Sequence, residues 1–287
     1  MTELNRDLVA RWLPQRPEDG HKGTFGKVLI AAGSVGFTGA AVFSANAAVR
    51  SGAGLVFLGV PKTVWPIAAV KCDEAMPFPL PEDGAGRLSL AALEALRSRD
   101  AGCDALLVGP GLGQSAELDE LVLSLLGERG DKPAVVDADG LNALSRHIDS
   151  RVCNPHTVLT PHDGEYARLM GRWPGEDRAA AALALAERWN CVAVLKGHRT
   201  LVADPEGRLW RNTTGNHGMA KGGSGDVLSG ILVSLLAQGM EPALAAAAAV
   251  WVHGRAGDLA AERLGHRGMT PTDLSRCLGQ VWRELNC

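Results

Sequence analysis

A single carboxylate, Asp226, stands directly after Gly222, Gly223, Ser224 and Gly225 and directly before an apolar helical run from Val227 to Leu236. Glycines in that position let the backbone come close to a ligand and turn several N–H groups the same way. The helix that follows leaves its first N–H groups unpaired and carries about half a positive charge at that end. Together these features make an anion site suited to phosphate. Asp226, in the first helical turn, would stand beside the phosphate, where a carboxylate can take the proton from a hydroxyl attacking phosphorus. The same residues also fit a plain glycine turn with Asp226 as a helix cap. The segment alone leaves both readings open.

The elements that must position this site alternate along the chain. Short apolar runs at Lys27–Ala32, Leu55–Val60, Ala105–Val108, Ala134–Val136, Thr157–Thr160 and Cys191–Leu195 read as buried strands. Most of them end in a glycine-rich or polar loop that leads into a helical pattern. Helices are expected at Ala40–Arg50, Leu88–Arg99, Glu117–Arg129, Gly140–Arg146, Asp177–Trp189, 226–238, 242–264 and 272–285. Residues 72–87 read as loop, and Leu201–Asp204 with Leu209–Asn212 as a hairpin. Alternating strands and helices predict an α/β fold, a largely parallel central sheet with helices on both faces. Ligands in such folds bind at the carboxyl ends of the strands. The loops at 33–40, 109–113, 137–142, 160–165, 196–200 and 222–226 are therefore expected on one edge. With no linker, composition break or repeat, residues 1–287 read as one domain.

Two common nucleotide motifs fail. Gly33, Gly36 and Gly39 are not spaced as GxGxxG, and Gly26-Lys27 is followed by Val28 and precedes its strand. The 287 residues, 46% hydrophobic and 21% charged with a net charge of −3, suit a folded enzyme and give no basic block for nucleic acid. No apolar run is long enough to span a bilayer, and the first twenty residues lack a signal-peptide core. The six cysteines form neither a disulfide pattern nor a metal-ligand pattern and suit a reducing cytoplasm.

Six segments taken together are specific: HKGTFGKVLIAAGSVGFTGAA (21–41), VGPGLG (108–113), VVDADGLNAL (135–144), TPHDGEYARLMG (160–171), VLKGHRT (194–200) and GMAKGGSGDVLSG (218–230). In this order the chain resembles the ADP-dependent NAD(P)H-hydrate dehydratase family of the ribokinase-like superfamily, from about residue 21 to 274. The resemblance implies a ribokinase-like three-layer fold and a repair enzyme for hydrated NADH or NADPH. Phosphoryl transfer from ADP to the ring hydroxyl would make a leaving group, and elimination of phosphate would restore the ring double bond. It also implies Mg²⁺, a homo-oligomer, small-molecule substrates, and a chain without the epimerase domain that some members carry.

By that resemblance Asp226 would be the general base and would touch the substrate. Gly222, Gly223, Ser224 and Gly225 would form the anion hole. Lys196, Gly197, His198, Arg199 and Thr200 would hold the adenosine and phosphate of the nucleotide. Ala40, Gly111, Gly113 and His162 would hold the damaged dinucleotide. No metal ligand can be named from the pattern, although Glu165, in a His162-to-Glu165 variant of an NxxE motif, could order Mg²⁺ through water. Each residue also has an ordinary role. Ala40 would be a helix residue, Gly111 and Gly113 a tight turn, His162 a helix cap and Lys196 a surface lysine. Asp137 and Asp139 could organise their loop or face substrate. The chain departs from the family in reading AAGS at 31–34 and in having Ser224 where threonine is commoner. A kinase of a vitamin-precursor alcohol and a non-catalytic nucleotide-binding module are the rival functions.

Overall fold

Residues 1–286 are described by a computed structural model of the chain. They form a ten-stranded sheet in the order β1-β10-β9-β8-β7-β6-β5-β2-β3-β4. The strands are β1 (Thr2–Glu3), β2 (Lys27–Ala31), β3 (Leu55–Pro61), β4 (Met76–Leu80), β5 (Ala105–Val108), β6 (Ala134–Val136), β7 (Thr157–Leu159), β8 (Val192–Leu195), β9 (Leu201–Ala203) and β10 (Leu209–Arg211). Pairing is parallel except where β9 runs against β8 and β10. The helices are α1 (Arg6–Trp12), α2 (Thr38–Arg50), α3 (Trp65–Lys71), α4 (Leu93–Asp100), α5 (Ala116–Gly127), α6 (Asp139–Arg146), α7 (Asp163–Met170), α8 (Arg178–Trp189), α9 (Ser224–Ala237), α10 (Pro242–Gly268) and α11 (Pro271–Glu284).

The sheet is covered on both faces, which is why its strands are apolar throughout and not alternating. Val28 and Ile30 of β2 and Leu107 of β5 join a core built with α2, α9, α10 and α11. Their chain neighbours Leu29, Ala31, Leu106 and Val108 join a second core built with α4 to α8. Three layers result. Among the described residues no helix is long and apolar enough to cross a membrane.

Besides β1 and α3, which the sequence pattern did not suggest, three stretches differ from the sequence expectation. Within 72–87, read as loop, Met76–Leu80 pairs in parallel with β3. Pro77 and Pro79 hide this strand from a propensity argument, but an edge strand needs N–H donors on one side only. Helix α9 begins at Ser224, two residues before the expected start, so Asp226 is its third residue. Helix α10 continues past 264 across a non-helical Gly265.

The strand ends are knitted together where the site lies. Gly33 N–H donates to the Pro110 carbonyl, Asp137 N–H to Val108 and Lys196 N–H to Pro161. Helices α2 and α9 lie side by side with matching ends. Phe43 abuts Gly223 at one end, and Gln238 donates to the Ser51 carbonyl at the other. Their close approach depends on small residues. A Cβ on Gly230 would sit 2.2 Å from the Ser44 carbonyl oxygen and 2.8 Å from the Ala47 Cβ. Gly230→Ala is therefore expected to cost about 1–3 kcal/mol through overpacking. A fall in the denaturant midpoint without a change in slope is the signature to look for.

Candidate active site

The turn before α9 has the geometry that an anion site needs. Gly223 takes φ = 100°, a left-handed conformation that favours glycine. A Cβ there would also meet the Phe43 ring at 2.7 Å and Pro271 at 3.1 Å. The backbone bends into α9 with no side-chain cap, and Ser224 N–H donates to the Lys221 carbonyl at 3.2 Å. The buried Ser224 hydroxyl has no hydrogen-bond partner among the described residues.

A cavity of about 410 Å³ opens beside this turn. Lys196, Gly197, His198, Arg199 and Thr200 line it from the end of β8, and Ser224 and Gly225 from the start of α9. The two segments assigned to the nucleotide in the sequence therefore meet in one cavity. Gly222 and Gly223 stand just outside its lining, in the turn that shapes it. The volume lies in the ordinary range for a small-molecule site.

Sequence reasoning missed the opposite wall. Asn212, Thr214, Asn216, His217 and Met219 approach from the segment after β10, and Val250, His253 and Gly254 from α10. Asp258 of α10 fixes that segment by accepting from Gly215 N–H at 3.0 Å and from the Asn216 amide at 2.9 Å. Thr214 Oγ1 donates to the Trp251 carbonyl at 2.9 Å. Burial pushes the His253 imidazole down to about 4, although the Ser224 backbone opposes the shift, so the ring is neutral near pH 7. A histidine inside the alanine-rich run was the available signal, but nothing local tied it to the glycine turn.

Charge is concentrated under the first turn of α9. Lys196 Nζ donates to Asp137 Oδ1 at 2.8 Å and lies 3.6 Å from Glu165 Oε2. A Cβ on Gly225 would be 3.5 Å from Lys196 Nζ and 3.9 Å from Asp137 Oδ2. Burial alone would raise the Asp137 carboxyl, but the Lys196 charge and the Lys196, Ser229 and Thr160 hydrogen bonds hold it below the usual range. Burial would likewise lower Lys196, and the charges of Asp137, Glu165 and Asp226 keep it raised and protonated. Asp226 is pushed up to about 7, first by burial and then by Asp137, with Glu165 adding to the rise and Lys196 opposing it. A base poised near neutrality is what proton abstraction from an alcohol asks for.

Ala40, Gly111 and Gly113 come together on the neighbouring strand ends. A Cβ on Gly111 would be 3.0 Å from the Ala40 Cβ, and the Ser34 hydroxyl donates to the Gly111 carbonyl at 2.8 Å. Gly113 N–H donates to Asp139 Oδ2 at 2.9 Å. The two aspartates left open by the sequence therefore divide their work. Asp139 organises the 109–113 loop, and Asp137 anchors Lys196. His162 caps α7, its Nδ1 accepting from Gly164 N–H at 3.0 Å, while its side chain stays half exposed. Glu165 completes this capping box by accepting from His162 N–H at 2.8 Å. That bond and the nearby Lys196 both fall on Oε2 of the carboxylate that the sequence offered to Mg²⁺. Among the described residues no group of three potential metal-binding side chains occurs.

Comparison with known proteins is consistent across methods. A family model described as NAD(P)H-hydrate dehydratase matches residues 28–280. The bifunctional NAD(P)H-hydrate repair enzyme of Moorella thermoacetica is 47% identical, the match covering 98% of this chain and 54% of that protein. The chain thus spans about half the length of bifunctional relatives of this kind. A ribokinase-like superfamily protein of Enterococcus faecalis V583 superposes with a TM-score of 0.88 at 28% identity, over 99% of this chain and 96% of that one. The ADP/ATP-dependent NAD(P)H-hydrate dehydratase of Bacillus subtilis, co-crystallised with ATP/Mg²⁺, gives a TM-score of 0.84 at 30% identity, over 99% and 98%.

Proposed function

Because the chain belongs to the NAD(P)H-hydrate dehydratase family and has the ribokinase-like fold, we propose that it is an ADP-dependent (S)-NAD(P)H-hydrate dehydratase acting in nicotinamide nucleotide repair. The observation that carries this reading is Asp226, raised to about 7, on the first turn of a helix whose N-terminal amides border a cavity of about 410 Å³. In the proposed reaction the nucleotide occupies that cavity, with its terminal phosphate against the amides of Gly222–Gly225 and the Lys196 ammonium. Hydrated NADH or NADPH lies along Ala40, Gly111, Gly113 and His162, with its ring hydroxyl at Asp226. Asp226 takes the hydroxyl proton as that oxygen bonds to the phosphorus of ADP and AMP departs. The ring nitrogen's lone pair then expels phosphate from the neighbouring carbon. Loss of a ring proton restores the double bond. Net dehydration follows, with the hydroxyl oxygen leaving in phosphate.

Mg²⁺ belongs to the same proposal. The hard oxygen donors of the cleft suit it in kind, but Asp137 and Glu165 are both engaged by Lys196. A metal here would be held chiefly by the nucleotide phosphates and would supply charge neutralisation at phosphorus. A single domain, a homo-oligomeric state and a cytoplasmic setting complete the proposal, and light scattering that returns a monomer would remove the oligomer.

One assay decides the main point. The protein is incubated with hydrated NADH and Mg²⁺, with ADP, with ATP or with neither, and reduced-nicotinamide absorbance is followed. Recovery that requires ADP is the expected result. No recovery with either nucleotide overturns the proposal.

A further inference from the structure

The sequence leaves Asp137 between organising its loop and facing substrate, and both of its carboxylate oxygens are tethered. It is 1% exposed at the end of β6. Its Oδ1 accepts from Lys196 Nζ at 2.8 Å and from Ala138 N–H at 2.9 Å, and its Oδ2 accepts from the Ser229 hydroxyl at 2.7 Å. Ser229 is on α9, one turn beyond Asp226, so Asp137 joins the sheet directly to the helix that carries the base.

The chain accepts local strain to make this arrangement. Ala138 takes φ = 50° and ψ = −116°, a conformation outside the regions open to residues with a Cβ. Such strain costs about 1–3 kcal/mol and persists only where the surroundings over-determine it. Here the residue on each side is pinned, Asp137 to Lys196 and Ser229, and Asp139 to Gly113 N–H at 2.9 Å. A free backbone at 138 would not turn two successive carboxylates toward two different strand ends.

We infer that Asp137 is a positioning residue for this site: anchored by Lys196 and Ser229, it holds α9 one turn beyond Asp226 and supplies the fixed negative charge beside which Asp226 works as the base. The inference rests on the role proposed for Asp226. The groups that face Asp226 are Asp137 after β6, Lys196 at the end of β8 and Glu165 on α7, while the neutral His253 of α10 stands behind Ser224. Asp137 and Glu165 favour a protonated Asp226, and Lys196 opposes them. Replacing Asp137 by asparagine keeps the shape and one acceptor oxygen for Lys196, turns the Ser229 contact into one in which the amide donates to the hydroxyl, and removes one negative charge. It also leaves more of the Lys196 charge free to act on Asp226. Both changes make Asp226 a weaker base that ionises at lower pH.

The test reads Asp226 directly and then through turnover. The Asp226 carboxyl is followed by ¹³C NMR in ligand-free wild type and in Asp137→Asn, assigned by the loss of its signal in Asp226→Asn. Its titration midpoint is expected near 7 in wild type and lower by about one pH unit or more in Asp137→Asn. In the dehydration assay the ascending limb of kcat against pH should move the same way, with a lower plateau. Ser229→Ala, which removes a hydrogen bond and no charge, should leave the limb within a few tenths of a unit. An unmoved midpoint in folded Asp137→Asn overturns the inference, as does a wild-type Asp226 titrating near 4, whatever the variant does. The NMR midpoint needs no substrate, so a failed dehydration assay and a failed inference remain distinguishable.

Discussion

Asp226→Asn is expected to abolish turnover and to make the protein more stable. A positioned base contributes on the order of 10²–10⁴ in rate, so kcat should fall by about that factor with nucleotide binding little changed. The stability gain follows from the same carboxylate. Its proton affinity is raised in the folded protein from 3.8 to about 7. A group raised on folding contributes stability below its unfolded value, and that contribution is lost as pH climbs through the folded value. Wild type should therefore lose stability relative to Asp226→Asn between about pH 4 and pH 7, and the two should converge below pH 4. The full shift would correspond to roughly 4 kcal/mol at about 1.36 kcal/mol per unit, and water in the open cleft should leave on the order of 2 kcal/mol at pH 8. Denaturant midpoints of both proteins at pH 4 and pH 8 check the sign. A variant less stable than wild type at pH 8 would show that Asp226 is an ordinary surface cap.

The same residue shows what a sequence can disclose. The glycine turn and helix start that carry Asp226 were legible because they are contiguous, four small residues on one side and an apolar helix on the other, while the role of Asp226 itself stayed open between base and cap. The strands β2, β5 and β8 were legible for a related reason. Each is buried on both faces, so its hydrophobicity is continuous and its polar loop marks the end that faces the cleft. That rule placed Lys196 on the cleft edge, the resemblance assigned it to the nucleotide, and it does line the cavity. β4 was not legible, because proline obscures an edge strand whose only partner is β3.

The second wall of the cavity was hidden by distance along the chain. Asn216 and His253 reach it from different elements, and Asp258 and the Trp251 carbonyl of α10 fix the segment that carries Asn216 there. Asp137 was left undecided because its partners are 59 residues away at Lys196 and 92 residues away at Ser229. Glu165 is the opposite case, since its partner, His162 N–H, is only three residues away and the capping box lies within one short segment.

Lys196→Met is expected to have the largest effect on stability, because it strands Asp137. Methionine keeps the apolar stem and removes the ammonium. Asp137 would then remain 1% exposed with hydroxyl and amide partners but no opposite charge. Removing one member of a buried ion pair costs about 3–5 kcal/mol. The pH dependence identifies the cause. In wild type the Asp137 carboxyl is depressed, so its contribution is present above the unfolded value near 3.8 and is lost only as pH falls below that. In Lys196→Met burial acts unopposed and raises it, so the variant should recover relative to wild type as the pH drops and Asp137 takes a proton. Lys196→Met combined with Asp137→Asn should regain most of the lost stability at pH 7, because the charge stranded at Asp137 is gone and the buried Glu165 keeps its hydrogen bond from His162 N–H. It should regain no activity, since the cation that meets the phosphate is absent in both. If the double variant proves as unstable as Lys196→Met, Lys196 acts through packing and not through its charge on Asp137.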